Sequence, residues 1–153
     1  MKFAPLAAIL AGVLAMALSA APAFAHDDAH LDTVKTPNGG QLRQAGPYHY
    51  ELVAARDGSD TKESPVVVYV SDDAGKKVST AGASGTATIL SGKVKATATL
   101  VPDGDNRMKG VAKYASTPGM KVVVSIALSG KQPEQARFTP LAVAKDAHTD
   151  HKH

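Results

Sequence analysis

From Tyr48 to Phe138 the apolar residues of this chain fall mainly on every second position. A strand turns successive side chains to opposite faces, so this period marks half-buried sheet rather than helix. Tyr48, Tyr50 and Leu52 alternate with His49, Glu51 and Val53. Residues 65–71, Pro-Val-Val-Val-Tyr-Val-Ser, are apolar on both faces and predict a central strand. Asp72-Asp73-Ala74-Gly75 predicts a turn, and Ser91-Gly92 a tight hairpin between 86–90 and 93–100, the latter with Val94, Ala96, Ala98 and Leu100 on one face. After Pro102-Asp103-Gly104-Asp105-Asn106, the inward set is Met108, Gly110, Ala112 and Tyr114. Met120, Val122, Val124, Ile126 and Leu128 form the next apolar face, and Ala136 with Phe138 the last. Seven or eight short antiparallel strands with turn signals between them predict an all-β fold, an immunoglobulin-like or related β-sandwich.

The flanks differ from this middle. Lys2, the apolar run from Phe3 to Ala21 and the small-x-small pattern Ala23-Phe24-Ala25 read as a signal peptide over 1–25, cleaved after Ala25. No stop-transfer charges follow, since the next residues are His26-Asp27-Asp28, so no membrane span is expected after cleavage. Segment 26–46, polar and holding Pro37, Gly39, Gly40 and Gly46, reads as an extended lead-in. The sandwich domain is expected over 47–140, and 141–153 as a flexible histidine-containing tail. The expected location is the periplasm.

Cleavage removes only Lys2 from the charge count, leaving a net charge of +2 from the whole chain's +3, too balanced for nucleic acid to be the main partner. With no cysteine there is no disulfide, thiol nucleophile or thiolate metal site. The mature chain has four tyrosines, Phe138 and no Trp, which favours thin packed sheets over a wide cavity. No Gly-x-Ser-x-Gly elbow and no phosphate loop opening a helix are found, so no enzyme is expected.

Histidine is the residue that invites chemistry. His26 and His30 bracket Asp27 and Asp28 at the new N-terminus, and His148, His151 and His153 lie with Asp146 and Asp150 at the C-terminus. Imidazole and carboxylate suit copper, zinc and nickel ions, and the free amine of His26 adds a donor beside its own ring. These donors must be deprotonated, so binding there weakens toward the ordinary imidazole pKa of ~6.5. His49 and Glu51, two residues apart on a strand, face the same way and form a separate, weaker candidate site. Against this stand the plainer readings of solvated tails and a surface pair on an edge strand. Lys93, Lys95, Arg107, Lys109 and Lys113 are expected to share one solvent face of a hairpin, suited to an acidic partner or to keeping the sheet from pairing with another chain.

Thr36-Pro37-Asn38-Gly39-Gly40-Gln41, followed by Gly46-x-Tyr48-His49-x-Glu51-Leu52-Val53, resembles the opening of a group of small exported periplasmic β-sandwich proteins of unassigned activity. Val68-Tyr69-Val70-Ser71-Asp72, residues 82–88 and Ala136-Arg137-Phe138 continue the likeness over roughly 36–140, and a β module of heavy-metal efflux adaptor subunits is similar. Asn38 stands where some relatives have a histidine before the Gly-Gly pair. The resemblance implies a non-enzymatic periplasmic role near transition-metal handling, with a component of an efflux system as partner. The leading expectation is therefore a protein that binds or buffers a divalent metal. The alternative is a protein-interaction module with no physiological metal.

Overall fold

The computed structural model describes residues 28–56 and 58–142. The segment 1–25 expected to be a signal peptide, His26, and residues 143–153 of the expected tail lie outside these residues. A single helical turn, α1 (Asp28–Leu31), precedes eight antiparallel strands: β1 (Gln41–Ala45), β2 (Tyr48–Ala54), β3 (Lys62–Asp72), β4 (Ser84–Ser91), β5 (Val94–Pro102), β6 (Arg107–Tyr114), β7 (Lys121–Ala127) and β8 (Glu134–Phe138). Their order is β1-β2-β3-β6-β5-β4-β7-β8, one sheet bent round until β1 and β8 are neighbours. The expected all-β architecture is present. With β3 as the B strand of an immunoglobulin sandwich, the A-B-E-D order reads β2-β3-β6-β5 and the C-F-G order reads β4-β7-β8. Strand β1 is an addition at one edge.

Strand β5 joins the two halves. It pairs with β4 from Val94 to Leu100, then with β6 only at Val101↔Lys109 and Pro102↔Met108. Crossing between the halves brings β5 tight against β6: a Cβ at Gly110 falls on the carbonyl oxygen of Thr99 and 3.2 Å from the Ala98 Cβ. Only glycine fits that crossing.

Between the halves lies one core built by the alternating faces, including Leu52, Val66, Val68, Val70, Ile89, Leu100, Met108, Val122, Val124, Ile126 and Phe138. The inward sets expected for β6, β7 and β8 are all buried. Val94 is exposed instead, because it sits at the strand's tip beside the Gly92-Lys93 turn, past the edge of the core. Tyr114 closes a gap in the ladder. Pairing of β2 with β3 stops at Ala54↔Val66, and there the Tyr114 hydroxyl accepts the Ala55 N–H at 3.0 Å and donates to the Pro65 carbonyl at 2.7 Å.

The lead-in departs from expectation. Residues 41–45 form β1, joined to β2 by a two-residue Gly46-Pro47 turn, and residues 28–40 fold back as a strap. Leu31 of α1 is buried, and Arg43 of β1, itself buried, pairs with Asp32 at 2.7 Å and Asp28 at 3.6 Å. An inward arginine hides the apolar alternation of β1, while its charge is met by the strap's carboxylates. No helix among the described residues is long and apolar enough to cross a membrane.

Candidate functional site

Strand register lays two rows of side chains across the outer face of β1, β2 and β3. One row is Leu42, Glu51, Tyr69; the next is Gln44, His49, Ser71. His49 and Glu51 thus belong to an inner strand, flanked by β1 and β3, rather than an edge. The strap passes over this face, and with the turn after β3 it encloses a cleft of about 690 Å³. His30, Leu31, Val34, Lys35 and Asn38 line it from the strap, Asp73 and Lys77 from the turn, and Leu42, His49, Glu51 and Tyr69 from the sheet.

Glu51 locks the strap in place. Its side chain, 3% exposed as a residue, accepts the Gly40 N–H at 2.8 Å, the Asn38 N–H at 3.1 Å and the Asn38 side-chain amide at 3.0 Å. Gly40 must come close for this: a Cβ there falls on the Leu52 carbonyl oxygen and 2.9 Å from Glu51 Cγ. Thr36 Oγ1 bonds the Gly40 carbonyl at 3.0 Å, and Arg56 donates to the Gly39 carbonyl. The Asn38-Gly39-Gly40 and Glu51-Leu52 segments are therefore one physical unit. Both carboxylate oxygens of Glu51 are engaged in it.

No protein-family model matches the chain, and no curated protein does.

His49 is mostly covered, with 11% of its side chain exposed, and its Nε2 lies 3.6 Å from Asp73 Oδ1, whose side chain is 62% exposed. The sequence marks Asp73 only as a turn residue. It reaches His49 because the β2–β3 register sets His49 opposite Ser71, two positions before it. His30, at the end of α1, lines the same cleft. Among the described residues no three His, Asp or Glu side chains are arranged to hold an ion together. His26, His148, His151 and His153 are outside the described residues.

Beside the cleft, Arg107 of β6 stands opposite Tyr69 and extends the Leu42–Glu51–Tyr69 row; the Tyr69 hydroxyl and then Asp103, whose Oδ2 is 2.8 Å from the guanidinium, hold the pKa of Arg107 above its ordinary value. The expected basic face is divided. Lys109 and Lys113 stand on β6, opposite Val67 and Glu63 of β3, whereas Lys95 stands on β5 opposite Leu90 of β4. The physical reason is the short β5–β6 pairing: these strands do not form the long hairpin that would align all five cations.

Proposed function

We propose that this is an exported, non-catalytic protein that binds a divalent transition metal in the cleft beneath its strap, with His49 and Asp73 as the protein donors and His30 at the rim. The observation that carries this is the 3.6 Å separation of His49 Nε2 and Asp73 Oδ1. Two donors each ~2.1 Å from a tetrahedral ion stand about 3.4 Å apart, so a small adjustment lets both bind one metal. Glu51 is withdrawn from the donor set because the strap uses both its oxygens. The sequence resemblance to efflux adaptor modules favours a periplasmic role accessory to metal efflux, with copper, zinc and nickel as the candidate ions.

Calorimetric titration of the protein processed at Ala25 with Cu²⁺, Zn²⁺ and Ni²⁺ tests this. A saturable one-to-one site in the micromolar range or tighter, weakened by His49→Ala and by Asp73→Asn, is expected. Binding unchanged by both substitutions but lost on deleting residues 146–153 moves the site to the histidine tail. Absence of any saturable site ends the metal reading.

A further inference from the structure

We infer that Asn38-Gly39 is a self-modifying site: spontaneous conversion of Asn38 to aspartate or isoaspartate unlatches the strap and opens the cleft beneath it. The inference does not rest on the metal reading, since neither His49 nor Asp73 takes part.

The chain has two asparagines, Asn38 before Gly39 and Asn106 before Arg107. The backbone nitrogen after an asparagine can attack its side-chain Cγ, and a following glycine, with no side chain, shields that nitrogen least. Asn38 and Gly39 are exposed, and nothing outside its chain neighbours lies within 4 Å of where a Gly39 Cβ would stand. The Gly39 nitrogen loses its proton to water and bonds to Asn38 Cγ, the bond from Cγ to the side-chain nitrogen breaks, and ammonia leaves. Water then opens the cyclic imide at either carbonyl. The net change is amide plus water to carboxylate plus ammonium, with nothing oxidised or reduced. Opening at one carbonyl gives aspartate; opening at the other gives isoaspartate, whose backbone is a methylene longer. Asn106 is held differently: its amide donates to the Val70 carbonyl at 3.1 Å, its own carbonyl accepts the Val70 N–H at 2.8 Å, and a bulky arginine follows it.

Glu51 couples this chemistry to the strap. The Asn38 amide donates to Glu51 Oε1 at 3.0 Å and must leave that oxygen to meet the Gly39 nitrogen. Glu51 therefore guards the site, and conversion proceeds through local opening of the strap. Neither product can close again. Aspartate sets a second acceptor-only carboxylate against Glu51, where like charges repel. Isoaspartate places its extra methylene between the N–H groups of residue 38 and Gly40, which together cradle Oε2 at 3.1 and 2.8 Å. Gly40 has no room to absorb the added length, because even a Cβ there falls on the Leu52 carbonyl oxygen.

The test is peptide mapping by mass spectrometry of the protein processed at Ala25, sampled during incubation at mildly alkaline pH. The Glu51→Gln variant and a synthetic peptide of residues 34–42 are aged beside it. Asn38 is expected to convert in the folded protein, more slowly than in the peptide and at least about tenfold more slowly than in Glu51→Gln. Asn106 is expected to keep its amide throughout. Asn38→Asp, which reproduces one product, is read by hydrogen exchange: the Gly40 amide is expected to exchange at least about tenfold faster, while unchanged β7 amides show an intact fold. Wild-type protein aged to conversion is measured the same way and is expected to match. An intact Asn38 when the peptide has fully converted overturns the inference, as does Asn106 converting equally fast. Equal rates in wild type and Glu51→Gln, or unchanged Gly40 exchange after conversion, overturn it too, because the site is then not coupled to the strap.

Discussion

The backbone N–H of Gly40 donates to the Glu51 carboxylate at 2.8 Å, across eleven residues of chain, and this bond holds the strap against the sheet. Hydrogen bonds to a buried charged acceptor are worth more than neutral ones, about 1.5–3 kcal/mol each. Glu51→Ala removes three such bonds and strands the Asn38 and Gly40 N–H groups. The expected loss is about 2–4 kcal/mol in urea unfolding, with hydrogen exchange at these two amides accelerating more than in β7. A loss below about 0.5 kcal/mol with unchanged exchange contradicts the lock.

Gly110→Ala tests the crossing of β5 over β6. The new methyl group lands on the Thr99 carbonyl oxygen and beside Ala98, neither of which can move without disturbing a strand. Destabilisation of at least about 2 kcal/mol is expected. Gly119→Ala, where nothing lies within 4 Å of the new atom and φ is not left-handed, is the control and is expected to change stability by less than about 0.5 kcal/mol. Equal effects at the two positions contradict the close crossing.

Arg43 and Asp32 should show an asymmetric dependence. Arg43 is 6% exposed, whereas half of the Asp32 side chain faces solvent. Asp32→Ala leaves a buried guanidinium without its main partner, a loss expected to be about 2–3 kcal/mol. In an Arg43→Met background, where the stem still packs and no charge is buried, the same substitution should cost below about 0.5 kcal/mol. A double-mutant cycle in urea checks this; additive effects contradict the pairing.

These residues also show how far the sequence is readable. Alternation predicts β6 and β7 correctly because their inward positions, such as Met108, Tyr114, Val122 and Ile126, are apolar and each sits in the common core. It misses β1, whose inward positions are Arg43 and Ala45, one charged and one small. The strap is missed for the same reason: its anchoring depends on one leucine, two aspartates and a carboxylate on another strand, none of which makes a local period. Spacing places His49 and Glu51 on one face, but opposite fates follow from what the chain brings to each. Asn38 and Gly40 occupy Glu51, while the β3 turn delivers Asp73 to His49. Asp73 has no sequence signal beyond its turn, because its proximity to His49 is a property of register.

The last prediction concerns alkaline pH. Tyr50 has its pKa raised by burial first, then by Glu134 and Tyr48, and Tyr114 has its pKa raised by burial, which outweighs the lowering by the Ala55 N–H. An unfolded phenol titrates near ~10. Between that value and the higher folded values, the unfolded chain has released protons that the native protein keeps, so unfolding becomes more favourable as pH rises. The tyrosine contribution is therefore fully retained below about pH 10 and declines above it. Tyr50→Phe lowers stability at neutral pH by about 1 kcal/mol, through loss of the hydroxyl contacts to the Ile126 and Glu134 carbonyls at 3.4 and 3.3 Å. It also removes one of the two titrating phenols, so the urea midpoint of the variant should fall less steeply with pH. Midpoints measured from neutral pH to about pH 11 check this. Parallel curves for the variant and the wild type mean that Tyr50 is not a source of the alkaline loss, whereas convergence assigns its share to the buried hydroxyl bridging β2 to the opposite half of the sandwich.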